Sequence, residues 1–223
     1  MSRGEKSRVC AEDIAKRLAA DRQNALRLVS VSRETEERLA VYVDLLERWR
    51  KTTNLISEST FASFWSRHIA DCAQLVALAP GARQWVDMGS GAGLPGLVIA
   101  IQLANVRAAV VHCVESDQRK CAFLREVARA TGSPARIHAK PIENIEPLGL
   151  GVVDAVTARA FATLPETLRL AKVWLEQGAI GVFPRGRSVQ CQLNALSPAP
   201  PYEIEVSPSA VDPKAGILRI RTI

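Results

Sequence analysis

The chain reads as an α/β protein, a doubly wound and mainly parallel sheet behind a helical N-terminal extension. Three observations carry this reading. From Gln84 onward, short apolar runs alternate with segments of helical periodicity, the pattern of parallel strands covered by helices on both faces. Before that point, residues 10–79 have helical spacing only. Between the two lies Asp87-Met88-Gly89-Ser90-Gly91-Ala92-Gly93-Leu94-Pro95-Gly96, a strand-to-helix turn whose glycines let main chain approach a ligand closely.

In the N-terminal part, Ser32 is placed to cap a helix whose first turns hold Glu34, Glu36 and Glu37. Leu39, Val43, Leu46 and Trp49 follow at helical spacing and form one apolar face. Arg48, Arg50 and Lys51 cluster at its far end. A further helix is expected from Trp65 to Ala79, stopped by Pro80-Gly81. The expected strands are Gln84–Met88, Ala108–Glu115, Ala135–Ala139, Val152–Thr157, Ala179–Phe183, Tyr202–Val206 and Ile217–Arg221. Between them, Pro95–Ala104, Gln118–Thr131, Leu164–Glu176 and a shorter Ser188–Leu196 are expected helices. Only the Pro-rich loop Ser207–Pro213 separates the last two strands. It is too short for a crossover, so an antiparallel hairpin should close the sheet. Ser197–Pro201 reads as a rigid turn. The expected division is a helical extension over residues 1–80 and a sheet domain over 81–223.

Composition narrows the function classes. No apolar run among the 223 residues is long enough to span a bilayer. Met1–Arg8 is charged and precedes no apolar signal region. The five cysteines, Cys10, Cys72, Cys113, Cys121 and Cys191, are odd in number and never spaced as CxxC. A disulfide framework or a metal site is not expected, and a reducing cytoplasm is the simplest compartment. His68, His112 and His138 have no ligand spacing either. The net charge of +6 fits an anionic partner. Residues 1–70 carry 13 basic and 10 acidic side chains, and residues 71–223 carry 16 and 13. With no basic tail, any nucleic-acid surface has to be assembled by folding.

Gly91-x-Gly93-x-x-Gly96 matches the dinucleotide-binding pattern, and Glu115 stands near the end of the second strand, where an acid can take a ribose. A nicotinamide-dependent oxidoreductase is therefore one reading. Asp87, just before the glycines, favours an ammonium group over a pyrophosphate. The closing hairpin also departs from the usual dinucleotide fold. Both features suit S-adenosylmethionine, with its amino-acid and adenosine ends, and hence a class I S-adenosylmethionine-dependent methyltransferase: Rossmann-like, seven-stranded, with a C-terminal antiparallel hairpin. A third reading is a non-enzymatic RNA- or ribosome-binding protein on the same fold.

Gly89-Ser-Gly-Ala-Gly-Leu-Pro-Gly96 resembles the signature of the RsmG (GidB) family, which methylates N7 of a guanine in 16S ribosomal RNA. The resemblance spans about residues 40–190. It includes Trp49-x-x-x-x-Asn54-Leu55, Arg67-His68-x-x-Asp71, Glu115-Ser116, Arg119-Lys120, Phe123-Leu124, Arg159-Ala160-Phe161 and Arg185-Gly186. Ala158, Cys72, Arg50 and Arg185 stand where the family more often has Ser, Ser, Asn and Lys. The resemblance implies cofactor contacts at Gly89, Leu94, Ile142, Glu143 and Arg159. The wider fold adds Asp87, Gly91, Gly93 and Glu115. It also implies a 16S rRNA or small-subunit partner, with a monomer as the default state.

Guanine N7 already offers a lone pair, so placement and water exclusion suffice and no general base is expected. The chain has neither an Asn-Pro-Pro-Tyr element after the fourth strand nor a Pro-Cys nucleophile. Arg159, a charge directly after an apolar strand, needs a partner or a cleft and is the expected positioning residue. Candidate RNA contacts are Arg48, Arg50, Lys51, Arg67, Arg119, Lys120, Arg185 and Arg187, with Phe161 as the base-facing aromatic. Each basic residue, taken alone, is more often just a solvated charge. Trp49 and His68 read as packing or structural residues.

Overall fold

A computed structural model describes residues 3–196 and 201–223; side chains are described outside 3–15, 58 and 59. The turn expected at Ser197–Pro201 lies almost wholly outside the described residues. In chain order the elements are α1 (Arg3–Leu28), α2 (Arg33–Trp49), α3 (Glu58–Phe61), a π-helical turn (Trp65–Ala70), α4 (Asp71–Ala73) and α5 (Leu75–Leu78). The alternating part follows as β1 (Gln84–Met88), α6 (Gly96–Gln102), β2 (Val110–Glu115), α7 (Gln118–Thr131), β3 (Ala135–Ala139) and β4 (Ala155–Thr157). It closes with α8 (Leu164–Glu176), β5 (Ile180–Gly186), α9 (Val189–Asn194), β6 (Tyr202–Pro208) and β7 (Gly216–Thr222).

The seven strands form one sheet in the order β3-β2-β1-β4-β5-β7-β6. Pairs β1·β2, β1·β4, β2·β3 and β4·β5 are parallel. β7 inserts antiparallel between β5 and β6, making the expected hairpin. The strand order reverses between β1 and β4. In open α/β sheets that switch point leaves a crevice at the carboxyl ends of the strands.

Local chemistry sets the helix ends. Ser32 Oγ accepts the Thr35 N–H at 3.2 Å, capping α2 as expected. Asp117 Oδ1 accepts from Arg119 N and Lys120 N at 2.8 and 3.0 Å and starts α7, which Gly132 ends in the left-handed region at φ 60°. The single helix expected over Trp65–Ala79 is instead broken into the π turn, α4 and α5. The Asp21 carboxylate of α1 caps the first turn of this segment, accepting from Trp65 N at 2.8 Å, Ser66 N at 3.1 Å and the Ser66 hydroxyl, first-turn groups that have no acceptor within the helix itself.

Core packing ties the helical extension to the sheet. Leu39, Tyr42, Leu46 and Phe64 share one buried cluster with Leu97, Phe123 and Val111. Tyr42 and Phe64 meet edge-on at 6.0 Å. On the opposite face, Trp174, Leu168 and Leu175 of α8 cover Met88, Val114, Phe183 and Ile220. Replacing a fully buried leucine such as Leu46 by alanine costs about 2–5 kcal/mol.

Candidate active site

At the carboxyl ends of β1, β2 and β4 lies a cleft of about 590 Å³, within the range of small-ligand sites. The loop from Gly89 to Pro95 forms its floor. Gly89, Gly91 and Gly93 take φ of 73°, 54° and 91°, conformations that a side chain would strain. A Cβ on Gly89 would lie 2.2 Å from Cδ2 of Phe161. One on Gly91 would meet nothing nearer than 3.9 Å. Gly89 thus seats the Phe161 ring, whereas Gly91 leaves open room above the main chain.

The loop is held from three sides. Tyr42 of α2, fully buried, donates its hydroxyl to the Ala92 carbonyl at 2.6 Å. Glu115 at the end of β2 accepts from Gly91 N with Oε2 and from Asp117 N with Oε1, both at 2.9 Å. Asp87 accepts the first N–H of α6, from Gly96, at 3.0 Å. The remaining oxygen of Asp87 has no partner among the described residues. Burial, with the Glu115 charge adding to it and the nearby Ser90 hydroxyl and Gly96 N–H opposing it, pushes its carboxyl up to about 7.

Arg159 closes the far wall. Its guanidinium lies 3.4 Å from Asp71 Oδ2 and donates to the Arg67 carbonyl at 3.3 Å. The charge after β4 is therefore paired, and α4 and the π turn brace it. His68 stands on the same wall. Burial, and then the charges of Arg159 and Arg67, lower its pKa to about 3, so it is neutral at physiological pH. Burial pushes the Cys72 thiol up to about 12 and raises that of Cys113, which leaves no thiolate nucleophile at either position.

Of the residues expected at the site, Gly89, Gly91, Leu94, Glu115, Lys120, Ile142, Glu143, Arg159 and Phe161 line the cleft. Asp87 and Gly93 do not. Asp87 lies fully buried under the loop as a helix cap, and Gly93 makes room for Leu97, whose Cδ1 would be 2.4 Å from an added Cβ. Arg48, Arg50, Lys51, Arg67, Arg119, Arg185 and Arg187 also lie off the cleft lining. Arg50 packs over the Phe61 ring at 4.4 Å, and Arg187 pairs with Asp212 at 2.6 Å. Sequence reasoning missed Leu55, Ile56, Ser116, Lys140 and Pro141 as cleft residues. Leu55 and Ser116 fall inside segments already singled out, whereas the others carried no local signal.

A family model described as rRNA small subunit methyltransferase G (GidB) matches residues 35–207. The chain belongs to this family. It is 46% identical over 206 residues to the ribosomal RNA small subunit methyltransferase G of Methylobacterium nodulans, covering 92% of this chain and 97% of that protein. Its identity to the protein of the same name from Parvibaculum lavamentivorans is 44% over 202 residues, or 90% and 89% of the two chains. Solved structures share the fold at low identity. One is the cofactor-bound Rv0187 from MTB, with TM-score 0.58, 12% identity and 83% and 89% coverage. Another is a methyltransferase from Geobacter sulfurreducens, with TM-score 0.52, 14% identity and 84% and 89% coverage.

The architecture is accordingly that of class I methyltransferases, and the antiparallel β7 between β5 and β6 separates it from the dinucleotide fold. The oxidoreductase reading finds no support among these relatives. The cleft fits S-adenosylmethionine: open space over Gly91, a carboxylate at Glu115 with lone pairs to spare, and apolar walls at Leu94 and Ile142.

Proposed function

We propose that this protein transfers a methyl group from S-adenosylmethionine to N7 of one guanine in the 16S rRNA of the small ribosomal subunit. Family membership carries the substrate, and the braced Arg159 at the end of the cleft carries the residue assignment. S-adenosylmethionine, when bound, supplies a methyl group made electrophilic by its sulfonium.

The side chains have modest tasks in this chemistry. Glu115, fixed by two main-chain N–H groups, has lone pairs left to accept ribose hydroxyls. Ile142 and Leu94 wall the adenosine, and the glycine loop supplies close main-chain approach. Guanine N7 attacks with its in-plane lone pair, forming the N–CH3 bond as the S–CH3 bond breaks and its electron pair returns to sulfur. No proton leaves, so no general base is needed. Arg159, neutralised by Asp71, orients the reacting groups without adding net charge beside the sulfonium. Neutral His68 adds none either.

We assign the protein to the cytoplasm as a monomer, with the exposed Arg67 and Arg119 and the cleft-edge Lys120 meeting the RNA backbone. Among the described residues, no helix is long and apolar enough to cross a membrane. The helical extension over 1–80 and the sheet domain over 81–223 act as one catalytic unit in this reading. Labelled methyl transfer to unmodified small subunits, mapped by cleavage selective for N7-methylguanine, tests it. One labelled guanine is the expected result. Cofactor binding without label in any rRNA favours an RNA-binding protein that keeps the fold.

A further inference from the structure

Arg159 is braced by a route that leads to the far end of the chain. Besides the cofactor cleft it borders a second cavity, about 880 Å³, beside α8, β5 and α9. On the helical wall its guanidinium meets Asp71 Oδ2 and the Arg67 carbonyl. Asp71 is the charged one of the two, so the direction of its carboxylate decides where the guanidinium sits.

The other oxygen of Asp71 sets that direction. Oδ1 accepts the Ser209 hydroxyl at 2.9 Å and the Gln74 side-chain amide at 3.1 Å. Ser209 follows β6, in the loop that the sequence marks only as a hairpin turn, and is 3% exposed. Its hydroxyl is used in full. The oxygen accepts Val211 N and Gln74 Nε2, both at 3.1 Å, so its single hydrogen goes to Asp71. Gln74 is fixed in turn, because Ala210 N donates to its Oε1 at 2.9 Å and leaves its NH2 facing Asp71. The hairpin loop is itself closed by Ser209 N on the Ala215 carbonyl at 2.9 Å and tied to β5's end by Arg187 on Asp212. Neither Ser209 nor Gln74 lines the cleft or the second cavity.

We propose that Ser209, together with Gln74, is a positioning residue for methyl transfer: from the β6–β7 hairpin it fixes the carboxylate of Asp71 and, through it, the guanidinium of Arg159. The inference rests on the reading of the protein as an rRNA methyltransferase that uses Arg159. An ion pair at a cleft wall gains little by itself, since two side chains must be held in one geometry. Two donors behind the carboxylate impose that geometry beforehand, the support that a precise site needs. Without the Ser209 hydroxyl the carboxylate turns about its Cβ–Cγ bond and Arg159 loses its set place. No group is removed from the cleft itself, so binding persists while alignment is lost.

The test uses the full chain and small subunits lacking the modification, with S209A, Q74A and R159A alone and with S209A and Q74A each combined with R159A. Single-turnover methyl transfer, cofactor affinity by calorimetry and KM for subunits are read on each. Ser209→Ala should slow transfer about tenfold while cofactor affinity and KM stay within about twofold of wild type. In the Arg159→Ala background the same change should slow transfer by less than about twofold, since no guanidinium is left to position. A wild-type rate in S209A overturns the assignment, as does a loss expressed in KM alone. Equal losses in the two backgrounds, the mark of a merely structural role, overturn it too. Should S209A lose cofactor binding, the Gln74→Ala pair decides: a loss of rate confined to the background that keeps Arg159 supports the assignment, and any other result overturns it. Wild type that binds cofactor yet labels no subunit rejects the parent reading, and the assignment with it.

Discussion

Replacing Gly89 by alanine tests how the loop and the Arg159 segment fit together. Two costs are expected. At φ 73° a β-carbon strains the backbone, by about 1–2 kcal/mol. The new Cβ would also lie 2.2 Å from Cδ2 and 2.7 Å from Cε2 of Phe161, so the ring must leave its seat. Phe161 is half-buried, and losing part of that contact costs about 1–2 kcal/mol. Gly89→Ala should therefore destabilise the chain by about 2–4 kcal/mol. In a Phe161→Ala background only the backbone part should remain, giving a coupling of about 1–2 kcal/mol. Urea unfolding of the four proteins measures it. Equal losses in the two backgrounds, within about 0.5 kcal/mol, would refute the proposed contact.

Other outcomes follow from the same geometry. Tyr42→Phe leaves the Ala92 carbonyl without its 2.6 Å donor; it should cost about 1–3 kcal/mol, lower Tm by about 2–4 °C for each kcal/mol and speed hydrogen exchange at the loop amides. His68, His112 and His138 have folded pKa values below the ordinary 6.5, with His68 at about 3 and His112 at about 4, chiefly through burial. Their stabilisation is present above pH 6.5 and is lost as the pH falls toward those values. The urea midpoint should drop on that limb, less steeply in His68→Gln. Asp87 has the opposite sign: its raised pKa of about 7 gives stabilisation that is full below the ordinary carboxylate value and is lost as pH rises through 7. The stability of Asp87→Asn relative to wild type should climb between pH 4 and 7 and then level off; a flat difference would rule out a buried, protonated Asp87.

Much of the sheet was legible because its signals are local. β1, β3, α7 and α8 fall on the expected residues, set by apolar runs and by signals such as Asp117 and Gly132 at the ends of α7. β4 is shorter than expected, since Val152 is 80% exposed and outside the strand. The cap on Trp65 was hidden because its acceptor, Asp21, is 44 residues away. The site divides in the same way. The glycine loop, Glu115 and Arg159 were visible as motif and as charge after apolar strand. Tyr42, Ile56, Lys140 and the Asp71 brace were not, because packing alone brings them to the loop or the cleft. Asp87 was legible as an important acid, but its burial under the loop was not.

The most direct test of the central claim compares wild type with Arg159→Ala in single-turnover methyl transfer to unmodified small subunits, with cofactor affinity measured on the same preparations. Arg159 lies on both the cofactor cleft and the second cavity. Its loss should leave a folded protein that binds S-adenosylmethionine within about tenfold of wild type, or about 1.4 kcal/mol. Transfer to the single guanine N7 should fall at least about a hundredfold, or about 2.7 kcal/mol of barrier. Wild-type transfer by the variant, or label on another base or atom, would contradict the assignment of this cleft.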